Sequence, residues 1–240
     1  MRLLLAVIAL SVAGCAAGLP ALTNANILLL GEQHDAPLHQ QIERDVVASL
    51  ASRGELAALA MEMAEDGAST SGLPPAATEA DARAALRWND EAWPWAAYGP
   101  AVMAAVRAGV PVIGANLPRS RMRSAMADTR LDSALPGAFR AQALTAIREG
   151  HCNLLAEAQI APMARVQVAR DQSMAQTLAR SAVPGKTVVL VTGAQHVDAQ
   201  IGVPAYLPPS LRVVTRILAP QPPGRDYCAV LREQYKGARP

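Results

Sequence analysis

Ile27-Leu28-Leu29-Leu30-Gly31-Glu32-Gln33-His34 and Thr187-Val188-Val189-Leu190-Val191-Thr192-Gly193-Ala194-Gln195-His196 share one design. In each, an apolar run of strand length meets a glycine and then a Gln-His pair. A run that is apolar at every position reads as a strand buried on both faces, which is the habit of parallel sheets. The glycine frees the backbone to turn sharply off the strand tip, so that the histidine can fold back over it. Leu56 to Met63 and Val110 to Ala115 are two further runs of this kind, and Leu211 to Leu218 and Tyr227 to Leu231 read as additional edge strands. Helical stretches lie between them. Pro37 suits a first turn, and Leu38, Ile42, Val46 and Leu50 form an i, i+4 stripe. Strands alternating with helices predict an α/β fold, an open and mostly parallel sheet flanked by helices. Residues 117–183 are helical in character almost throughout and too long for one crossover, which predicts a smaller helical subdomain over the carboxyl edge of the sheet. Residues 64–80, rich in Gly, Ser and Pro, read as a flexible loop.

What ends each strand points to a site. The first strand runs into Glu32 and His34, the second ends at Glu62, the third at Asn116 with Arg119 just beyond, and the fourth runs into His196. In a parallel sheet these ends share one edge, where ligands of open α/β folds bind. Each group alone could be a satisfied core residue, but burying all of them without partners would be costly. His34, His196 and Glu62 could hold a divalent metal with a position left for water. Equally, a histidine–glutamate pair could act as a general base without metal. His39 and Glu43, four apart on a helix, read as a solvated pair. After Pro162, Met163, Gln167, Asp171 and Met174 fall on one helical face with Arg170 adjacent, a polar and polarisable stripe facing the same edge.

Aromatics are scarce, yet all three tryptophans and Tyr98 lie between residues 88 and 98. Pro94 and Pro100 are expected to interrupt regular helix there. The cluster reads either as a satellite core or as a platform for a flat hydrophobic ligand, with Trp95 and Tyr98 as its contacts.

The amino end carries Arg2, an apolar run from Leu3 to Leu10, and Val12-Ala13-Gly14-Cys15. This order reads as a lipoprotein signal peptide over residues 1–14, with lipid on Cys15 and a tether to residue 25, ahead of one domain over residues 26–240. Ala16, rather than an aspartate, follows the cysteine and favours the outer membrane. Removing the signal takes away only Arg2 and lowers the net charge from +2 to +1, which leaves no electrostatic footprint for nucleic acid. Cys152 and Cys228 remain, either as a disulfide or as separate thiols, with Cys152 reactive beside His151.

Taken in order, Gly31-Glu32-Gln33-His34-Asp35, His39, Glu62-Met63, Trp95 with Tyr98, Asn116-Leu117-Pro118-Arg119, Met163 through Gln167 to Arg170-Asp171 and Met174, and Gly193-Ala194-Gln195-His196 closely resemble the ChaN-like lipoproteins. That family sits in the wider haem-binding-uptake and Tiki-like grouping, related to the TraB and erythromycin esterase proteins. The resemblance runs from about residue 26 to 207. It implies an outer-membrane-associated lipoprotein that binds haem for iron or haem acquisition, with a cofacial haem pair between two protomers and an outer-membrane receptor as partner. It implies a tyrosine on the iron, with Tyr98 the best match and Tyr206 and Tyr227 behind it. It also leaves open a hydrolase built from the two Gly-x-x-His histidines and the glutamates. The Ser/Gly/Pro-rich segment after Glu62 departs from the family pattern and bears on that wall of the pocket.

Overall fold

The structure, a computed structural model, describes residues 25–222 and 226–237; the residues expected to form a signal segment, a lipidated Cys15 and a tether lie, up to residue 24, outside them. Five strands form the sheet: β1 Ile27–Glu32, β2 Leu56–Glu65, β3 Val112–Asn116, β4 Thr187–Gly193 and β5 Val213–Ile217. Their order is β3-β2-β4-β1-β5, and every pairing is parallel. The architecture is α/β, and the central register matters most. Leu28 lies beside Val189 and Glu32 beside Gly193, so the two Gly-x-Gln-His turns leave the sheet as neighbours.

Alternation along the strands sorts the core into two layers. Leu28, Leu30, Leu59, Met61, Val189 and Val191 pack beneath α1 (Pro37–Ser52) and α3 (Trp95–Arg107). Ile27, Leu29, Ala58, Ala60, Val188 and Leu190 meet Met174 and Leu178 of α6 (Glu157–Ser181) on the other face. Each fully buried Leu or Val contributes roughly 1.5–3 kcal/mol. Glu32 continues the Leu28–Leu30 face and Glu62 the Ala58–Ala60 face, so the two carboxylates emerge on opposite sides of the sheet's edge.

Between β3 and β4 the chain forms α4 (Arg119–Ala127), a 3-10 turn (Thr129–Ser133), α5 (Gly137–Gly150) and α6. Leu117, Ala125 and Val166 pack α4 onto α6, and the Arg165 guanidinium forks onto Asp132 at 2.9 and 2.8 Å. After β5, α7 (Tyr227–Gly237) is joined to the end of α5 by a Cys152–Cys228 disulfide with Cα atoms 5.7 Å apart.

Several local expectations are corrected. Tyr227 to Leu231 is helix, not strand: the segment continues into good helix formers, and the Asp226 carboxylate caps its start by accepting from the Ala229 N–H. In α1, Leu38 and Ile42 are 55% and 38% exposed, while His39, Gln40, Glu43, Val46, Val47 and Leu50 are buried. The helix begins at the carboxyl edge, so its first two turns pass over the polar strand tips and only its later turns reach the apolar sheet. Segment 64–80 is not a free loop. β2 runs on to Glu65, Ser69 bridges Ile113 antiparallel, and Thr70 is buried, bonding Val112 with both its backbone N–H and its hydroxyl. It thereby covers the open edge of β3. Helix α3 spans Pro100 without a break, with Pro94 outside its first turn. Gly99 suits its place because a Cβ there would clash with the Trp95 indole.

Candidate functional site

Two carboxylate–histidine pairs face each other at the edge, one on each side of Glu62. On the α1/α3 side, Glu32 Oε1 accepts from the Tyr98 hydroxyl and bonds His34 Nδ1, both at 2.8 Å, while Glu32 Oε2 accepts from Gln40 at 2.8 Å. On the α6 side, Asp171 Oδ1 meets His196 Nδ1 at 2.5 Å. Each histidine is thus oriented through Nδ1, leaving Nε2 turned toward Glu62, at 4.0 Å from His34 and 3.4 Å from His196. Gly193 makes this approach fit, since a Cβ there would stand 2.9 Å from His34 Nε2.

Glu62 is saturated. Its Oε2 accepts from the Thr192 hydroxyl and the Gly193 N–H at 2.8 Å each, and its Oε1 faces His196 at 3.4 Å and the Arg170 guanidinium at 3.2 Å. Asn116 locks the group, donating to the Glu62 carbonyl and accepting from Arg170 Nε. Burial pushes the Glu62 carboxyl up, but His196, His34 and Arg170 outweigh it and hold the group well below the usual range. Burial lowers His196, yet Glu62 and Asp171 carry it up to about 10, so it is an imidazolium at neutral pH. Burial raises Asp171 to about 6 against the pull of His196. For His34, burial lowers the pKa, and Glu32 and Glu62 raise it further than that, for a net rise.

The metal expectation does not fit this geometry. Among the described residues no three His, Cys, Asp or Glu side chains gather as metal ligands. Both Glu62 oxygens are committed to donors, and Arg170 already supplies positive charge where a cation would sit. The solvated His39–Glu43 pair is also corrected, since both residues are buried. His39 Nδ1 accepts from the Gln33 N–H and its Nε2 donates to the Ala219 carbonyl, straps on the chain beyond β1 and β5. Burial and the adjacent Glu32 carboxylate push the Glu43 carboxyl far up, so it stays protonated.

Tyr98 is buried, and its hydroxyl is committed to Glu32; burial and that carboxylate raise its pKa, the opposite of what a phenolate ligand needs. Trp95 is buried with its indole N–H on Glu79, a satellite-core role. Met174 belongs to the core beneath α6, and Met163 lies half-buried on α6. Tyr206 is held under the sheet with its hydroxyl near Asp171 and its pKa raised by burial, and Tyr227 is exposed on α7.

Beside this polar cluster opens a cleft of about 400 Å³. Met63, Leu86, Trp93, Leu117 and Met122 form its apolar wall; Glu62, Asn116, Arg170, Arg119 and Arg87 stand at its polar side. Trp93, not Trp95, is the tryptophan facing it, and Trp93 also packs edge-on against the His34 ring at 4.8 Å. Sequence reasoning named Glu62, Asn116, Arg119 and Arg170 but missed Trp93, Met122, Arg87, Gln40 and Thr192. Only Thr192 carried a signal, as the polar end of an apolar strand.

Comparison with known proteins places these features in a family. The structure of ChaN of Campylobacter jejuni, solved for cofacial haem binding, superposes with a TM-score of 0.69 at 22% identity, over 86% of this chain and 85% of that one; at this identity the likeness establishes the fold. The type III effector HopBA1 gives a TM-score of 0.40 at 15% identity over 71% of this chain and 67% of its own, too distant to carry an argument. No curated protein matches the chain. The model of the family described as haem-binding uptake, Tiki superfamily, ChaN matches residues 19–207. Spanning well over half of its length, that match makes the chain a member of the ChaN family of the Tiki superfamily.

Proposed function

We propose that this protein binds haem at the carboxyl edge of its sheet, as a lipoprotein of haem or iron acquisition anchored in the outer membrane through Cys15. The observation that carries this reading is the cleft itself, apolar on one side and on the other lined by Arg87, Arg119 and Arg170 against the carboxylates of Glu62 and Glu65, in a chain of a haem-binding family. Such a lining suits a flat apolar macrocycle with a charged rim. His34, which stands behind the cleft and packs on its Trp93 at 4.8 Å, is the iron ligand in this reading, in place of Tyr98, Tyr206 or Tyr227. Its side chain is 39% exposed, Glu32 fixes its Nδ1, and its Nε2 has no hydrogen-bond partner among the described residues. A carboxylate on Nδ1 raises the basicity of the ligating nitrogen. Haem pairing between two protomers and hand-over to an outer-membrane receptor belong to the same proposal.

Ferric haem titration of the mature chain, read by absorption and sedimentation, tests it. His34→Ala should weaken binding at least tenfold and alter the Soret band, while Tyr98→Phe should leave both in place. Because His34 titrates above its ordinary 6.5 and only neutral Nε2 can bind iron, affinity should rise with pH through that range. A Soret band that His34→Ala leaves untouched, or affinity falling with pH, would remove His34 from the role.

A second reading, hydrolysis, is favoured by the paired histidines around Glu62. With His196 fixed as imidazolium, His34 is the available general base on water, and His196 and Arg170 would offset charge developing on the attacked carbonyl. Turnover of model esters or peptides, abolished in His34→Ala, would support it; no turnover at any pH would end it.

A further inference from the structure

Four of the described helices end in the same six-residue closure, in which the residue after the C-cap takes a left-handed backbone. At α1 that residue is Gly54 (φ +69°) and at α3 it is Gly109 (φ +69°). Their N–H groups bond Ala51 and Val106, and the following N–H groups reach back to Leu50 and Ala105. Glycine is the expected occupant, because a Cβ is disfavoured there. Two helices break the rule. At α5 the position holds Cys152 (φ +56°), whose sulfur is fixed in the disulfide to Cys228. At α2 (Glu79–Ala85) it holds Arg87 (φ +49°), with Arg87 N–H on Ala84 and Trp88 N–H on Arg83. Arg87 has no such internal reason. Its side chain makes no hydrogen bond or ion pair among the described residues, and it lines the cleft.

Arg119 stands in the same condition on the α4 side of the cleft. Its backbone N–H bonds Glu65, but its guanidinium has no ion-pair partner among the described residues. The third cleft arginine, Arg170, is already spent on Glu62 and Asn116. Two uncommitted guanidiniums therefore flank an apolar wall of Met63, Leu86, Trp93, Leu117 and Met122. Strained non-glycine backbone retained at a cleft is a mark of a functional constraint, and guanidinium pairs well with carboxylate.

We infer that Arg87 and Arg119 form a clamp for a dicarboxylate ligand, holding two carboxylates of one flat apolar molecule at the mouth of the cleft. Resting on the haem reading, this assigns the clamp to the porphyrin's carboxylate edge, where it acts whether or not an iron adds its bond to His34: the class of ligand is a dianionic tetrapyrrole, with or without iron.

The test compares ferric haem, metal-free protoporphyrin IX and protoporphyrin IX dimethyl ester on the wild-type chain, Arg87→Gly and Arg119→Ala, with Arg123→Ala on the same α4 as a control outside the cleft. Arg87→Gly is a clean variant, since glycine is the residue that this helix ending favours. The wild type should bind both diacids at least tenfold more tightly than the diester. Each cleft substitution should cost the diacids about tenfold and leave the diester and the control unchanged. Diacid and diester binding alike, or Arg87→Gly discriminating as well as the wild type, would overturn the clamp while haem binding stands. If ferric haem fails to bind but the metal-free diacid still does so through both arginines, the clamp holds and the haem reading falls. No saturable binding of any porphyrin overturns both.

Discussion

At Glu62 the charges balance within one cluster. Glu62 and Asp171 are negative, His196 and Arg170 positive, and all but Arg170 are buried. Removing one member leaves an uncompensated buried charge, which costs about 3–5 kcal/mol. His196→Ala should therefore lose stability of that order in urea denaturation. The pH dependence has a definite sign. His196 rises from 6.5 to about 10 on folding, so its contribution is fully present below about pH 6.5 and is lost as pH climbs through 10. Wild-type stability should fall across that window and the variant's should fall less; parallel curves would contradict the buried imidazolium. Glu62 and His196 were readable from sequence because a parallel sheet delivers every strand end to one edge, and Arg170 and Asp171 because they belong to a polar stripe on the helix after Pro162. Gln40 and Glu43 were not, because nothing in a strand pattern tells which turns of α1 cross that edge. The phenol of Tyr98 shows a related limit: a sequence match cannot distinguish a hydroxyl aimed at a ligand from one aimed at Glu32, where this one bonds.

Helices carry their information at their ends. The C-terminal closures of α1 and α3 were visible as Gly54 and Gly109, whereas α2 hid its own behind an arginine. A left-handed backbone costs a non-glycine residue roughly 1–2 kcal/mol. Arg87→Gly should thus gain about 1 kcal/mol in chemical denaturation. A loss instead would mean that the guanidinium supports the fold. The strand expectation for Tyr227 to Leu231 failed on local composition, since Tyr, Val and Leu suit either element and Asp226 decided for helix. Segment 64–80 failed differently. Its Ser and Thr residues favour loops when alone, but here they meet the open edge of β3 and bond it.

Across the whole molecule, the disulfide encloses α6, β4 and β5 within a loop of sequence separation 76. On the chain-entropy account such a link contributes about 4 kcal/mol by restricting the unfolded chain. Cys228→Ser should lower stability by up to that amount without changing haem affinity, since neither α5 nor α7 lines the cleft. An affinity that fell with it would tie α7 to the site. The α/β class was legible at this scale because alternating strands and helices admit few arrangements, but strand order was not, as no local pattern says that β4 inserts between β2 and β1. That insertion sets a clock. Leu28 pairs with Val189, about 160 residues later, and β5, the other neighbour of β1, is made later still. At about 5–20 residues per second of synthesis, β1 waits roughly ten to thirty seconds with neither of its partners yet made. The first strand to leave the ribosome is among the last to be satisfied, and for that interval the nascent chain stays unfolded at its centre.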